Sequence, residues 1–146
     1  MQLRSADKAD LPGLLSLYSQ FRHTPIPEMD DRIMTIWEQI MADKNQHVIV
    51  GIEDDKIVSS CVLLIVPNLT HDQRPYALIE NVITDEAYRH KGYASAVLDY
   101  AKSIAKQAHC YKVMLLTGSK LESTLAFYER VGFNRSDKTG FVLWFD

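Results

Sequence analysis

The apolar periods of this chain predict an α/β fold: a mixed, mainly antiparallel sheet with helices on both faces. Three observations carry that expectation. Runs of strand character at His47–Ile52 and Ile57–Val66 flank the polar tetrapeptide Glu53-Asp-Asp-Lys56, the pattern of a hairpin. Apolar residues recur at helical spacing in three other stretches. Strand, helix and strand then follow one another from Tyr76 to Thr117, an order that needs a parallel pair with a right-handed crossover.

Taken in order, Leu11, Leu14, Leu15, Tyr18 and Phe21 mark a first helix, with Asp7 placed as N-cap and Pro12 tolerable in the first turn. Arg22–Asp31 holds Pro25 and Pro27 and breaks that period. Ile33, Ile36, Trp37, Ile40 and Met41 then form a second stripe, and the two hairpin strands follow. Pro67–Pro75 reads as a polar loop and Tyr76–Thr84 as the next strand. Ala94, Val97, Leu98, Ala101, Ile104 and Ala105 give the inner face of a third helix. Tyr111–Thr117 is expected as a buried strand, Leu121–Arg130 as a helix and Gly140–Phe145 as a closing strand. With 146 residues and neither linker nor repeat, residues 1–146 are expected to form one domain.

Composition excludes several functions. Sixteen Lys and Arg against nineteen Asp and Glu leave a net charge of −3 and no basic stripe, which argues against nucleic acid as partner. Cys61 and Cys110 lack metal or redox spacing and read as free thiols in a reducing compartment. The five histidines show no ligand spacing, so no metal is expected. No apolar run approaches the roughly 18 residues of a membrane span, and the N-terminus does not resemble a signal peptide, so a cytoplasmic location is expected.

The segment Ile79-Glu-Asn-Val-Ile-Thr-Asp-Glu-Ala-Tyr-Arg-His-Lys-Gly-Tyr-Ala94 passes from strand through a polar turn into a helix. Gly92 permits close backbone approach, the helix start offers unpaired N–H groups and a positive dipole end, and Arg89 and Lys91 add charge. Alone, this reads about equally as a pyrophosphate cradle or as a plain strand-to-helix turn. A second segment, Leu125-Ala-Phe-Tyr-Glu-Arg-Val-Gly-Phe133, is an aromatic helix closed by a glycine.

Together, R-x-x-G-x-A and F-Y-x-x-x-G-F resemble the GNAT superfamily of acyl-CoA-dependent N-acetyltransferases, over about Val48–Phe145. Within it, E-N-V-I-T-D-E-A-Y-R-H-K-G and C-Y-K-V-M-L-L are similar to the glucosamine-6-phosphate N-acetyltransferase branch. The resemblance implies a parallel strand pair splayed at its C-terminal ends. Acetyl-CoA, as co-substrate, would lie in the gap against backbone groups of Val82, Ile83 and Thr84. Its pyrophosphate would sit on Arg89, His90, Lys91, Gly92, Tyr93 and Ala94. The chain departs from the pattern at His90 and Ala94, where glycine or glutamine is usual, and at Leu121-Glu-Ser-Thr124, which lacks the customary Asn. Leu116-Thr-Gly-Ser-Lys-Leu121 replaces the acidic segment of the sugar-phosphate branch, so that sugar specificity does not carry over.

Acyl transfer from a thioester to an amine moves two protons: the ammonium must lose one, and the leaving thiolate gains from a donor. Glu80, in the apolar strand L-I-E-N-V-I, is the candidate base, acting through water; otherwise it is an outward-facing or ion-paired strand residue. Asn81 is expected on the opposite face in a structural role. Tyr128 is the candidate acid, the position at which the family carries a tyrosine, or else a core aromatic. Phe127 and Phe133 are expected in the core. Arg22–Asp31, with His23, Glu28, Asp30 and Asp31, either borders the acceptor pocket or is a solvated connection.

The activity expected is transfer of an acetyl group to a primary amine of a small molecule by direct attack on the thioester. The alternatives are an inactive acyl-CoA-binding sensor, a protein or peptide N-acetyltransferase, and an unrelated nucleotide-binding α/β domain. The expected partner is the small amine, without membrane or nucleic acid; a homodimer is compatible with this reading.

Overall fold

The computed structural model describes residues 1–146. A five-stranded sheet has the order β1 (Gln2–Ser5), β2 (Gln46–Glu53), β3 (Lys56–Val66), β4 (Tyr76–Thr84), β5 (Val113–Leu115). All neighbours are antiparallel except β4 and β5, which are parallel. Four α-helices accompany them: α1 (Leu11–Tyr18), α2 (Asp31–Ala42), α3 (Tyr93–Gln107) and α4 (Glu122–Arg130).

Local chemistry explains most boundaries. Asp7 accepts from the Ala9 N–H while the Asp10 carboxylate accepts from the Asp7 N–H, a capping box that starts the 3₁₀ turn ahead of α1. Asp30 caps α2 by accepting from the Ile33 N–H at 2.9 Å. Trp37, the buried residue of α2, donates its indole N–H to the Lys8 carbonyl and ties that helix to the turn before α1.

The sheet separates two cores. On one face Ile49, Cys61, Leu63, Ile65, Ala77 and Ile79 meet Val97, Leu98, Ala101 and Ala105 of α3, with α4 aromatics at the margin. On the other, Val48, Val50, Ile57, Val62 and Ile83 meet Leu11, Leu14 and Leu17 of α1 and Trp37 of α2. Each fully buried aliphatic side chain contributes about 1.5–3 kcal/mol of transfer free energy.

Three expectations need correction. Gln2–Ser5, unassigned from sequence, is an edge strand, because its main chain pairs with Ile49–Ile52 whatever its polar side chains do. The strand expected over Tyr111–Thr117 shortens to Val113–Leu115 and is half-buried, since only Ala77–Ile79 of β4 pair with it. Gly140–Phe145 forms no strand: it makes no ladder with the sheet, and Phe141–Phe145 are exposed.

Candidate active site

The site is organised by an irregularity in β4. Its register against β3 skips a residue, with Val62 opposite Glu80 and Ser60 opposite Ile83, so that Asn81 and Val82 together face Cys61. Asn81 takes φ 53°, a left-handed conformation that Asn tolerates better than most residues. This is a β-bulge, and it resets the alternation of the strand. Ile79 and Val82, three residues apart, both pack into the α3-side core, and Ile83 turns to the α1 side. The simple alternation expected for Asn81 is therefore broken, and Glu80 and Asn81 are both exposed.

The bulge lies where the parallel pair ends. β5 accompanies β4 only as far as Ile79 opposite Leu115, leaving Glu80–Thr84 without a neighbour on that edge. The Asp85 N–H donates to the Val58 carbonyl, so strand alternation turns the main chain of Ile83 toward β3 and that of Val82 and Thr84 toward the open edge. Of the three residues expected to bond a ligand through their backbone, Ile83 faces the wrong neighbour. The Thr84 carbonyl already accepts from Arg89 Nε at 3.3 Å.

Past the strand, Asp85 accepts from Lys56 Nζ at 2.7 Å, from Gln20 Nε2 at 3.1 Å and from the Ala87 N–H at 2.9 Å. Burial alone would raise the Asp85 pKa, but these donors outweigh it and hold the carboxyl below the ordinary carboxylate range. Asp85 thus anchors the Glu86–Tyr88 turn that carries the chain to Arg89. The only sign of this role in the sequence is Thr84-Asp-Glu86 at a strand end, an N-cap signal. Tyr88 lies edge-on to Tyr93 and beneath Lys56 and Lys91.

Gly92 caps α3 with φ 85°, and no atom lies within 4 Å of where its Cβ would stand. No side chain caps the helix start. A fifteen-residue helix therefore points its first N–H groups into open space, with the exposed Arg89, His90 and Lys91 beside it and Tyr93 and Ala94 in its first turn. These features fit a pyrophosphate, which needs close backbone approach and positive charge.

Glu80 shares the α1 face of the sheet with its partner Val62 and takes part in no salt bridge. Tyr128 sits on the other face, where α4 packs against the α3-side core. Its position is fixed by a Schellman motif: the Phe133 N–H donates to the Tyr128 carbonyl, the Gly132 N–H to the Glu129 carbonyl, and Gly132 takes φ 104°. Phe133 meets the Tyr128 ring edge-on at 6.3 Å, and Phe127 lies at 5.2 Å. Arg135 braces α4 through Glu122 and Glu129. Burial, with the nearby Cys61 sulfur, pushes the Tyr128 phenol above its ordinary value. Cys61 itself is fully buried and raised to about 12.

On the α1 side a pocket of about 380 Å³ is lined by Tyr18, Phe21, Arg22, Thr24 and Asn81. Of the proline-rich segment it takes Arg22 and Thr24. Asp30 is spent as the α2 cap, and Asp31 opens the helix. A slightly larger cavity of about 420 Å³ lies between α1 and the β2–β3 turn. Its Arg4 and Lys56 are consumed by Asp10 and Asp85, which leaves no cation free for a ligand there.

Residues 11–133 match the model of the acetyltransferase (GNAT) family. The chain belongs to the GNAT acetyltransferases, a family of acyltransferases. Among its relatives, this GNAT chain is 35% identical over 83 residues to a glucosamine 6-phosphate N-acetyltransferase of Trypanosoma brucei brucei, covering 57% of this chain and 54% of that one. It spans about half the length of the curated relatives it matches. A candidate acetyltransferase from Agrobacterium tumefaciens superposes with a TM-score of 0.92 at 42% identity, over 99% of both chains. The glucosamine-6-phosphate N-acetyltransferase of Arabidopsis thaliana, at 22% identity, shares the fold with a TM-score of 0.86 over 99% of this chain and 98% of its own.

Proposed function

We propose that this GNAT chain is an acetyl-CoA-dependent N-acetyltransferase that acetylates a primary amine of a small molecule by direct attack on the thioester. One observation carries the reading: the bulge at Asn81 and the early end of β5 leave the main chain of Val82 and Thr84 on an open edge, with an unpaired carboxylate on one face of the sheet and a phenol on the other. A thioester held at that edge would meet the amine from the α1 side and lose its thiolate toward the α4 side.

Acetyl-CoA supplies the activated acyl group. Arg89, Lys91 and the N–H groups at the start of α3 would hold its pyrophosphate, and the Val82 and Thr84 main chains would flank its arm. Glu80, free of ion pairs, accepts the proton of the incoming ammonium through water. Tyr128, protonated throughout the neutral range, gives its proton to the sulfur as the carbon–sulfur bond breaks. The amine would enter by the pocket at Tyr18, Arg22 and Asn81.

Release of free thiol from acetyl-CoA, measured over a panel of small amines, tests the reading. Amine-dependent release with at least one member is expected. Acetyl-CoA binding without turnover on any amine would favour a sensor, and turnover on peptides alone a protein acetyltransferase. Absence of binding would overturn the assignment of the cradle.

A further inference from the structure

The pocket of about 380 Å³ on the α1 side is walled by tied-down chain. Gln20 donates to Asp85 at 3.1 Å and accepts from the Glu86 N–H at 3.1 Å, which fixes the 3₁₀ turn Ser19–Phe21 to the end of β4. The Thr24 N–H donates to the Ser19 carbonyl at 3.0 Å and closes the loop that carries Arg22. Asn81, displayed by the bulge and next in the chain to Glu80, supplies the sheet side of the lining.

Arg22 is the one charged residue in that lining. It is exposed and takes part in no salt bridge. The acids that meet its loop face other groups: Asp85 accepts from Gln20 and Lys56, and Glu86 stands 4.0 Å from His23. Phe21, 48% exposed and 5.9 Å from the Tyr18 ring, gives the pocket an apolar side.

An unpaired cation on the path of the acceptor repels polycationic amines and attracts an anion carried by the acceptor itself. We propose that the acceptor is an amine bearing a carboxylate on an apolar stem, and that Arg22 selects it. The planar guanidinium fork matches the two oxygens of a carboxylate. A phosphate dianion calls for a second cation or a helix N-terminus, and the lining holds neither. The carboxylate thus meets Arg22, and the ammonium faces the Glu80 carboxylate on the same side of the sheet. The inference rests on the acyl-transfer reading and names its substrate class. The ammonium loses one proton through Glu80, and the nitrogen bonds the acetyl carbon as the carbon–sulfur bond breaks. The thiolate takes the Tyr128 proton, and the second nitrogen proton makes good that loss.

Thiol release from acetyl-CoA tests it, with leucine, methionine and phenylalanine each measured beside its amide, and with glucosamine 6-phosphate and spermidine. Each acid and its amide differ only at the anion. The carboxylate makes the neighbouring amine more basic, so the supply of free amine favours the amide and cannot imitate the expected result. Because Arg22 is exposed and its pair is screened by water, kcat/KM should favour the preferred acid over its amide by about tenfold, mainly through KM. Arg22→Gln should bring that ratio to about one, and Arg22→Lys should keep part of it, since charge persists without the fork. KM for acetyl-CoA should hold in both variants. Turnover of acids and amides alike with a ratio near unity, or a ratio that Arg22→Gln leaves unchanged, overturns the inference and leaves the acyl-transfer reading standing. So does a preference for glucosamine 6-phosphate or spermidine over every acid, and so does acetyl-CoA binding without turnover of any acid. Failure to bind acetyl-CoA overturns the inference together with the reading beneath it.

Discussion

Replacing Tyr128 by Phe removes one oxygen from a ring whose position owes nothing to that oxygen. The ring is held by Phe127 at 5.2 Å, by Phe133 at 6.3 Å and by the Schellman motif at the end of α4, and the hydroxyl donates to no protein atom. The fold should therefore be nearly unaffected, with a change within about 0.5 kcal/mol. Loss of a general acid costs about 10²-fold in turnover, or roughly 2.7 kcal/mol of barrier at 1.36 kcal/mol per decade. Because the phenol takes no part in binding the ground state, kcat should fall while KM for acetyl-CoA holds. Its pKa is raised above 10, first by burial and then by Cys61, so the acid stays protonated through the neutral range. An alkaline limb set by this group should lie above pH 10 in the parent and vanish in the variant. Steady-state rates with a thiol-trapping reagent, beside a melting curve, separate the outcomes. Undiminished kcat would return Tyr128 to the role of a packed aromatic; a fall in kcat matched by a large fall in Tm would make the effect structural.

Gly92→Glu combines a φ of 85°, which costs an L-residue about 1–2 kcal/mol, with a carboxylate in the phosphate position. Stabilisation by acetyl-CoA, about 2.7 kcal/mol at a hundred times Kd in the parent, should disappear; an equal thermal shift in both proteins contradicts the cradle. Glu80→Gln should lower activity most on the acidic limb of the pH profile, where the amine must be deprotonated, and a uniform loss across pH would point to positioning instead. Asp85→Asn removes the charge that pairs with Lys56 and one of the two carboxylate oxygens that accept from Lys56, Gln20 and Ala87, and should cost about 2 kcal/mol at pH 7. The Asp85 carboxyl is held below its unfolded value, so its stabilisation is present above about pH 4 and is lost as pH falls through the folded pKa. The Tm gap between the two proteins should accordingly narrow in acid, and a constant gap would show that charge is not the cause.

What the sequence by itself determined is what short-range chemistry decides. The Asp7 cap, the helix stripes, Gly92 at the start of α3 and Gly132 at the end of α4 are each set by residues within a turn or two, so they are legible in one dimension. The F-Y-x-x-x-G-F pattern is itself the signature of the Schellman motif that holds Tyr128. What only the tertiary structure decided depends on partners distant in the chain. The bulge at Asn81 exists because β4 must stay in register with β3 on both sides of Cys61, and nothing within L-I-E-N-V-I announces the extra residue. Asp85 draws its meaning from Lys56 and Gln20, 29 and 65 residues away. β1 is a strand only because β2 offers it an edge. Phe141–Phe145 has a strand's composition and forms no strand, because a strand is completed by a neighbour and none of the five strands pairs with this segment.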